Sequence, residues 1–234
     1  MMSRYFRLII LANTLILASM QPIFMLMLRN KLLLGGLLLL TFFVLYYAFF
    51  DGQTAAPAID PAIYRQQVDA ARSEKDRFFR TNAESPLSDK SDFTGLRYFK
   101  PDLTYQVTAR LEPFADKTQK LVVRMSDGSE EVYDKFAHAV FSLNGETCRL
   151  LIVKLGDVYS VIFRDTTSGK ETYGGGRYLE LEPADLTDNR AVLDFNKAYN
   201  PYCAYNPSYA CPLPPPENTL PVAINAGERY ISHD

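Results

Sequence analysis

The chain has 234 residues, and its 25 lysines and arginines nearly balance its 27 aspartates and glutamates, which gives a net charge of −2 at pH 7. That balance lacks the excess of positive charge that nucleic-acid binding requires, so no nucleic-acid partner is expected. With two histidines in all, His138 and His233, a multi-histidine metal centre is excluded, and the sequence indicates no metal and no cofactor.

An apolar run from Leu32 to Phe50 contains 19 residues without a charge. As a helix with a rise of about 1.5 Å per residue it would be about 28 Å long, close to the thickness of a bilayer's hydrocarbon core. Arg29 and Lys31 precede the run and Asp51 follows it, so the positive-inside rule leaves the N-terminus in the cytoplasm. The sequence therefore predicts a single-pass anchor in the inner (cytoplasmic) membrane, with the C-terminal domain outside the cytoplasm.

The residues before the anchor, 1–31, form a leader. A signal peptide has an apolar region of about 7–15 residues, and the A-x-A-like site Ala56-Pro57-Ala58 lies well beyond this longer run, so an uncleaved anchor is predicted. A second apolar stretch, Leu8 to Leu28, would leave basic residues on the outer face if it also crossed the membrane, against the charge rule. We therefore predict that residues 1–26 are upstream sequence that is not translated.

After a linker at residues 51–59, a soluble β-rich domain is predicted over residues 60–234. Asp60-Pro61 combines an Asp N-cap with proline at the first helical position, so a helix begins there. The helix is predicted to run to about Phe79 and to pack an apolar stripe against the domain. The residues that recur at helical spacing on this stripe are Tyr64, Val68, Ala71 and Phe78.

From Tyr105 onward, apolar and polar residues alternate with the period of two that is typical of half-buried strands. Asn144-Gly145 between two such segments is a strong signal for a tight hairpin. No helices intervene, which favours antiparallel pairing. The predicted fold class is mainly β, an antiparallel β-sandwich or a partly open barrel with one N-terminal amphipathic helix. From Asp194 to Gly227 the chain is rich in Asn, Pro, Tyr and Cys, and a long ordered coil wrapped on the sheet is predicted.

Four runs of unusual sequence point to a family. They are Phe93-Thr94-Gly95-Leu96-Arg97-Tyr98-Phe99, Thr172-Tyr173-Gly174-Gly175-Gly176-Arg177-Tyr178-Leu179, Leu193-Asp194-Phe195-Asn196-Lys197-Ala198-Tyr199-Asn200-Pro201, and the closing Cys203 to Asn218 segment with Ala226-Gly227-Glu228. Together they resemble the bacterial domain of unknown function 1684 family, over roughly Phe79 to Arg229. The resemblance implies a common fold but no activity, because the family itself is uncharacterised.

Cys203 and Cys211 enclose a loop of seven residues. In an oxidising compartment they are candidates for a disulfide that contributes about 2–3 kcal/mol. The alternative is two small buried residues, and the resembled family also occurs in proteins without an export leader, where a bridge is hard to maintain. Cys148 alternates into a strand face and is predicted to lie in the core. Two cysteines with no histidine nearby do not supply the three or four ligands of a zinc site.

The run from Gly174 to Arg177 allows two interpretations. Exposed backbone N–H groups and an arginine suit an anion. However, the run precedes a strand instead of opening a helix, and no Walker-type Lys-Ser/Thr follows, so a tight bend or bulge is favoured.

Polar residues in the segments without periodicity include the candidates for a binding site. Carboxylates that converge to about 5–10 Å are the arrangement that acid–base hydrolysis of glycosides requires. The alternative is that these side chains satisfy backbone groups in a coil that lacks ladder partners. The catalytic residues stay unknown, and the candidate binding residues are Asp165, Glu171, Tyr173, Arg177, Asp194, Asn196, Asn200, Tyr205, Glu217 and Asn218.

Two main hypotheses for the function follow. The first is a non-catalytic binding or structural module of the cell envelope, with a pocket where the tail crosses the sheet. The second is an envelope hydrolase in which a carboxylate pair acts with Arg177, and it requires at least two of Asp165, Glu171, Asp194 and Glu217 to face one cleft. A third, a partner-docking subunit, predicts a large exposed aromatic patch.

Overall fold

The structure, a computed structural model, describes residues 35–43 and 59–230. Residues 35–43 are helical and belong to one compact unit, and residues 59–230 belong to a second. Within these two stretches no helix is both long enough and apolar enough to cross a membrane. The predicted leader, most of the linker, and both ends of the predicted anchor from Leu32 to Phe50 lie outside the described residues.

Helix α1 spans Pro61–Thr81. The Asp60 side chain accepts a hydrogen bond from the Ala62 backbone N–H at 2.7 Å, which satisfies one of the free donors at the helix N-terminus. Tyr64, Val68 and Phe79 are buried against the domain. The predicted helix start is therefore confirmed, and the helix ends two residues later than predicted. The apolar stripe is confirmed at Tyr64 and Val68, whereas Ala71 is exposed and Phe79 is buried in place of Phe78.

Eight antiparallel strands form one sheet in the order β6-β5-β4-β3-β1-β8-β7, and β2 pairs with the first half of β3. A β-bulge between Lys135 and Ala137 lets the long third strand serve β2 with one half and β1 with the other. The strands are β1 (Gln106–Pro113), β2 (Lys120–Arg124), β3 (Glu130–Leu143), β4 (Glu146–Leu155), β5 (Val158–Phe163), β6 (Arg177–Leu181), β7 (Leu186–Thr187) and β8 (Arg190–Asp194).

The predicted mainly β, antiparallel architecture is confirmed, and of its two forms the sheet matches the partly open barrel. A sandwich needs two sheets, whereas this single sheet curls into a half-barrel in which β6 and β8 contact each other although they lie far apart in the strand order. The predicted hairpin at Asn144-Gly145 is present between β3 and β4. Both residues have positive φ, 53° and 84°, as a two-residue turn of this kind requires.

The concave face of the sheet carries the main hydrophobic core, which the tail completes. Phe195, Leu220, Val222, Ile224 and Ala226 are all at most 8% exposed and pack onto apolar residues of β1, β3–β6 and β8. The tail from residue 195 to residue 230 is thus an ordered coil on the sheet, with short 3-10 turns in place of longer elements. A smaller cluster that includes Leu151, Val153 and Ile162 covers part of the opposite face.

Candidate functional site

Arg177 is a buried residue whose hydrogen bonds fasten the tail to the sheet, which we call its fastener role. Its side chain is 1% exposed, and its NH2 group donates to Asp165 Oδ2 at 2.8 Å and to the Ile224 carbonyl at 2.9 Å. Its NH1 group donates to the carbonyls of Ala226 and Glu228. Burial lowers the pKa of the guanidinium, and the adjacent Asp165 carboxylate opposes that shift. Its terminal nitrogens are thus occupied by the protein, and its Nε is buried without a hydrogen-bond partner among the described residues, so the guanidinium is enclosed in the domain instead of facing a cleft.

Asn218 closes a gap in the sheet. β4 and β5 pair through Val153–Leu155 and Val158–Ser160, and Asn218 inserts its amide beyond that point. Its Oδ1 accepts from the Leu151 N–H at 2.6 Å, and its Nδ2 donates to the carbonyls of Leu151 and Ile162 at 2.9 Å each. The side chain, in a residue 1% exposed, therefore replaces ladder hydrogen bonds and holds no ligand.

Replacing Asn218 by alanine is expected to lower the free energy of unfolding by about 2–3 kcal/mol, because three buried backbone groups lose their partner. The measurement is urea unfolding followed by far-UV circular dichroism. Asn225 is exposed on the same tail, and its replacement by alanine should change the free energy by about 0.5 kcal/mol or less. Equal effects of the two substitutions would contradict the role given to the Asn218 amide.

The carboxylates that the hydrolase hypothesis needs do not meet in one cleft. Asp165 is 5% exposed and caps the Thr167 N–H at 2.7 Å, and Glu171 is exposed. Glu217 Oε2 lies 2.7 Å from His138 Nε2, and the His138 ring packs against the ring of Phe114. Of the predicted set, Asp194 alone lines a described cavity. The arrangement of a carboxylate pair with Arg177 is therefore absent from residues 59–230.

Two other expectations have outcomes in the same segments. The glycine run is a tight bend, in which Gly176 N–H donates to the Tyr173 carbonyl at 3.0 Å and a Cβ on Gly176 would lie 2.7 Å from the Phe163 carbonyl oxygen. Tyr173 packs edge-on against Tyr230.

The hypothesis of a partner-docking subunit requires a large exposed aromatic patch. Within residues 59–230 the most exposed aromatic side chain is that of Tyr209, at 37%, so this part of the chain presents no such patch.

A cavity of about 470 Å³ lies between α1 and the sheet edge where β1, β8 and the tail meet. We call it the α1 pocket. Helix α1 contributes an apolar and cationic wall, and the other side is formed mainly by Tyr98, Asp194, Asn196, Tyr199 and Glu228. The α1 residues that line it are Tyr64, Gln67, Val68, Ala71, Arg72 and Lys75.

Asp194 and Asn196 anchor α1 at this pocket. Asp194 Oδ1 and Oδ2 accept from the Tyr64 hydroxyl at 2.8 and 3.0 Å, and Oδ1 also accepts from the Asn196 N–H at 3.1 Å. Burial, together with the neighbouring carboxylate, raises the pKa of Tyr64 well above its usual range, so the phenol stays a donor. Asn196 in turn bonds both backbone groups of Asp102. Asp194 and Asn196, two of the predicted binding residues, thus line the pocket, and hydrogen bonds within the protein fix their side chains.

Glu228 forms the charged floor of the pocket and is 1% exposed. Its Oε1 accepts from Lys75 Nζ at 2.5 Å, and its Oε2 accepts from the Asn200 N–H and the Tyr205 hydroxyl at 2.8 Å each. Asn200 Nδ2 also donates to the Tyr205 hydroxyl at 3.2 Å. The predicted candidates Asn200 and Tyr205 therefore act by holding Glu228, which the sequence analysis did not single out as a site residue.

Arg72 and Tyr98 supply donors that the protein leaves unused. The Arg72 guanidinium lies 4.5 Å above the centre of the Tyr98 ring and donates to the Phe99 carbonyl at 2.8 Å. Arg72 Nε and the Tyr98 hydroxyl are buried, and neither has a hydrogen-bond partner among the described residues. Burial and the nearby Glu228 raise the pKa of Tyr98 well above its usual range, so its hydroxyl keeps its proton.

Most of this wall was not predicted from the sequence because its residues lie on separate elements. Arg72, Lys75 and Tyr98 belong to no motif that marks a binding site. A helix that packs its apolar stripe on a sheet necessarily brings the flanking charges to the rim of that contact. The apolar stripe of α1 is therefore the signal from which Arg72 and Lys75 could have been placed at the rim of the pocket.

Within residues 35–43 and 59–230 no group of three His, Cys, Asp or Glu side chains is arranged to hold a metal ion. Cys148, Cys203 and Cys211 are free thiols, and Cys148 is buried in the sheet as predicted.

Comparison with known proteins gives a family and a solved structure. The family described as Protein of unknown function (DUF1684) matches residues 91–229. The solution NMR structure of an uncharacterized protein from gene locus rrnAC0354 of Haloarcula marismortui is 41% identical, with a TM-score of 0.58. The match covers 72% of this chain and 95% of the haloarchaeal chain. No curated protein matches the sequence.

Proposed function

The chain belongs to the DUF1684 family, a family of unknown function, and we propose that this member is a membrane-anchored, non-catalytic binding module outside the cytoplasm, with its ligand site in the α1 pocket. The ligand class that suits the pocket is a small molecule with an apolar body and an anionic or carbonyl head group. The body packs on Tyr64, Val68 and Ala71, and the head group lies toward Arg72 and Lys75.

The observation that carries this proposal is the combination of an apolar wall with charged groups held in place before any ligand arrives. Ligand pockets are mostly apolar, of about 300–1,000 Å³, with a few fixed polar groups that set orientation. Tyr64, Asp194 and Asn196 fix one side of the α1 pocket, while Glu228 fixes Lys75. This preorganisation lowers the entropy lost on binding.

The membrane anchor is supported by the apolar run from Leu32 to Phe50 and by the basic residues that precede it. Ten residues separate the run from Pro61, the first residue of α1.

A pair of matched substitutions tests the pocket. Ala71 is exposed and lines the pocket, whereas the adjacent Ala70 is exposed and is not part of its lining. Replacing Ala71 by tryptophan fills the cavity without removing a core residue, and the same change at Ala70 is the control. We expect the first variant to bind a pocket probe at least about tenfold more weakly than the wild type, and the second to bind it unchanged.

The probe is anilinonaphthalene sulfonate, which joins an aromatic body to an anionic head, and the measurement is a fluorescence titration of residues 59–234. This part of the chain is suitable because the haloarchaeal relative, matched over 95% of its length, folds as little more than this domain. Saturable binding with one site per chain supports the proposal. Binding that is unsaturable, or equal in the two tryptophan variants, contradicts it.

The location is tested separately in intact cells that express the full chain. We expect the protein in the membrane fraction after a carbonate wash, and we expect protease added to spheroplasts to digest the C-terminal domain. A chain that is released by carbonate, or that is protected until the cells are lysed, would contradict the anchored, extracytoplasmic arrangement.

A further inference from the structure

We propose that Cys203 and Cys211 are an oxidation site, at which an intramolecular disulfide forms and closes the loop between them. The carrying observation is that the Cys203 backbone N–H donates to Cys211 Sγ at 3.1 Å. The sulfur of Cys211 thus lies in direct contact with the backbone of Cys203 before any bond joins the two residues. The proposal is independent of the ligand site in the α1 pocket, but it rests on the proposed location outside the cytoplasm, which the protease experiment measures separately.

The backbone on both sides of the pair is fixed while the thiols are reduced. Cys211 exchanges hydrogen bonds with Ser126, its N–H donating to the Ser126 hydroxyl at 2.9 Å and its carbonyl accepting from the Ser126 N–H at 2.8 Å. Cys203 lies in the 3-10 turn Tyr202–Ala204, which the Ala204 N–H closes by donating to the Pro201 carbonyl at 2.9 Å. Both cysteines are therefore held close to each other by hydrogen bonds of the chain before oxidation.

The two thiols differ in accessibility and surroundings. Cys211 is 5% exposed, and burial raises the pKa of its thiol to about 12. Cys203 is partly exposed, and the Tyr173 hydroxyl donates toward its sulfur at 4.0 Å. An external oxidant reaches the partly exposed Cys203 before the buried Cys211, and the Tyr173 hydroxyl holds the Cys203 sulfur in place. Cys203 is accordingly the sulfur that reacts first, with Tyr173 as a positioning residue.

The chemistry is a thiol–disulfide exchange with a dithiol-derived oxidant such as cyclic oxidised dithiothreitol or an oxidoreductase disulfide. The Cys203 thiolate attacks one sulfur of that disulfide, an S–S bond forms to Cys203, and the other sulfur leaves as a thiolate. Cys211 then loses its proton to solvent and attacks the Cys203 sulfur, which displaces the remaining oxidant sulfur. Two protein thiols are oxidised, and one disulfide is reduced to two thiols.

The bond would stiffen one wall of a second cavity. Cys211, Tyr178 and Tyr202 line a space of about 470 Å³, which shares Lys75 and Tyr199 with the α1 pocket. Tyr178 also donates to the Pro212 carbonyl at 2.6 Å, directly after Cys211. Oxidation therefore ties this tyrosine-rich wall together, and the oxidised chain should unfold with an equilibrium constant about 100-fold smaller than the reduced chain.

The sequence makes the pair easy to detect. Between Lys197 and Arg229 there is no lysine or arginine, so one tryptic peptide, residues 198–229, contains both cysteines and lacks Cys148. The full chain is taken from membranes, quenched with iodoacetamide without reductant, and mapped by mass spectrometry. We expect this peptide to be unalkylated and about 2 Da lighter than the dithiol form, while Cys148 is alkylated after denaturation. A peptide with two alkyl groups, or one joined to the Cys148 peptide, overturns the proposal.

A kinetic experiment tests the role of Tyr173. The reduced chain is treated with oxidised dithiothreitol, and the fraction of bridged peptide 198–229 is followed over time. Tyr173→Phe keeps the ring that packs on Tyr230 and removes the hydroxyl, so it should slow bridge formation and leave the end product unchanged. Cys148→Ser is the control and should leave the rate unchanged. A Tyr173→Phe variant that oxidises at the wild-type rate overturns the assignment of Tyr173 as a positioning residue for Cys203.

Discussion

Replacement of Arg177 by alanine is expected to lower the free energy of unfolding of the domain by about 3–5 kcal/mol, the cost of removing one partner from a buried ion pair. The substitution leaves the Asp165 carboxylate buried without its cation, 2.8 Å from where the guanidinium was. It also frees the carbonyls of Ile224, Ala226 and Glu228, which no water replaces without opening the core. The measurement is equilibrium unfolding in urea of residues 59–234.

Arg65 gives the matched control for this prediction, since it is an exposed arginine on α1. Its replacement by alanine should change the free energy by about 0.5 kcal/mol or less. If Arg177→Ala were as stable as Arg65→Ala, the apolar contacts and the other hydrogen bonds of the tail would be sufficient to hold it. In that case the fastener role given to Arg177 would be incorrect.

A second large effect is expected from Gly227→Ala, which should lower the free energy of unfolding by about 4 kcal/mol or prevent folding. Gly227 has φ +75°, and a Cβ there would lie 2.4 Å from the Ala198 carbonyl oxygen and 2.7 Å from the Phe195 carbonyl oxygen. Both obstacles are backbone atoms and cannot rotate away. The Glu228 N–H would also lose its hydrogen bond to Ala198, which removes the floor of the α1 pocket.

Gly128→Ala separates the cost of a side chain on left-handed backbone from the cost of the steric clash. Gly128 has a similar φ of +88°, but a Cβ there would meet no atom within 4 Å. This control therefore reports the cost of the left-handed backbone alone, about 1 kcal/mol. Thermal unfolding of the two variants gives the difference, and equal losses would contradict the close approach assigned to Gly227.

Local sequence patterns predicted the elements well because each pattern depends on residues that are near in the chain. The Asp60 cap, the alternation after Tyr105 and the Asn144-Gly145 turn are all short-range features, and each has the expected structure. The choice between sandwich and half-barrel depended on which strands pair, which is a long-range property. The bulge at Lys135 and Ala137 that lets β3 serve two partners has no comparable local signal.

The candidate site was predicted only in part for the same reason. Irregular polar residues were identified as candidates, but sequence alone does not distinguish a side chain that faces a cleft from one that holds the backbone by hydrogen bonds. Arg177, Asp165 and Asn218 proved to be buried ties, because a coil without ladder partners must satisfy its N–H and carbonyl groups with side chains. Asp194 and Asn196 line the α1 pocket.

The sequence by itself determined the family, the antiparallel β class, the start of α1 and the presence of an ordered tail. Periodicity, capping and composition depend on residues that are close together in the chain, so they can be recognised without the tertiary structure. Only the tertiary structure decided where the tail goes and what the pocket contains. Lys75 and Glu228 are 153 residues apart and meet at 2.5 Å, and Tyr64 reaches Asp194 over 130 residues. Such contacts exist because the curled sheet brings its edge and the tail under one helix, and burial then requires each charge to have a partner.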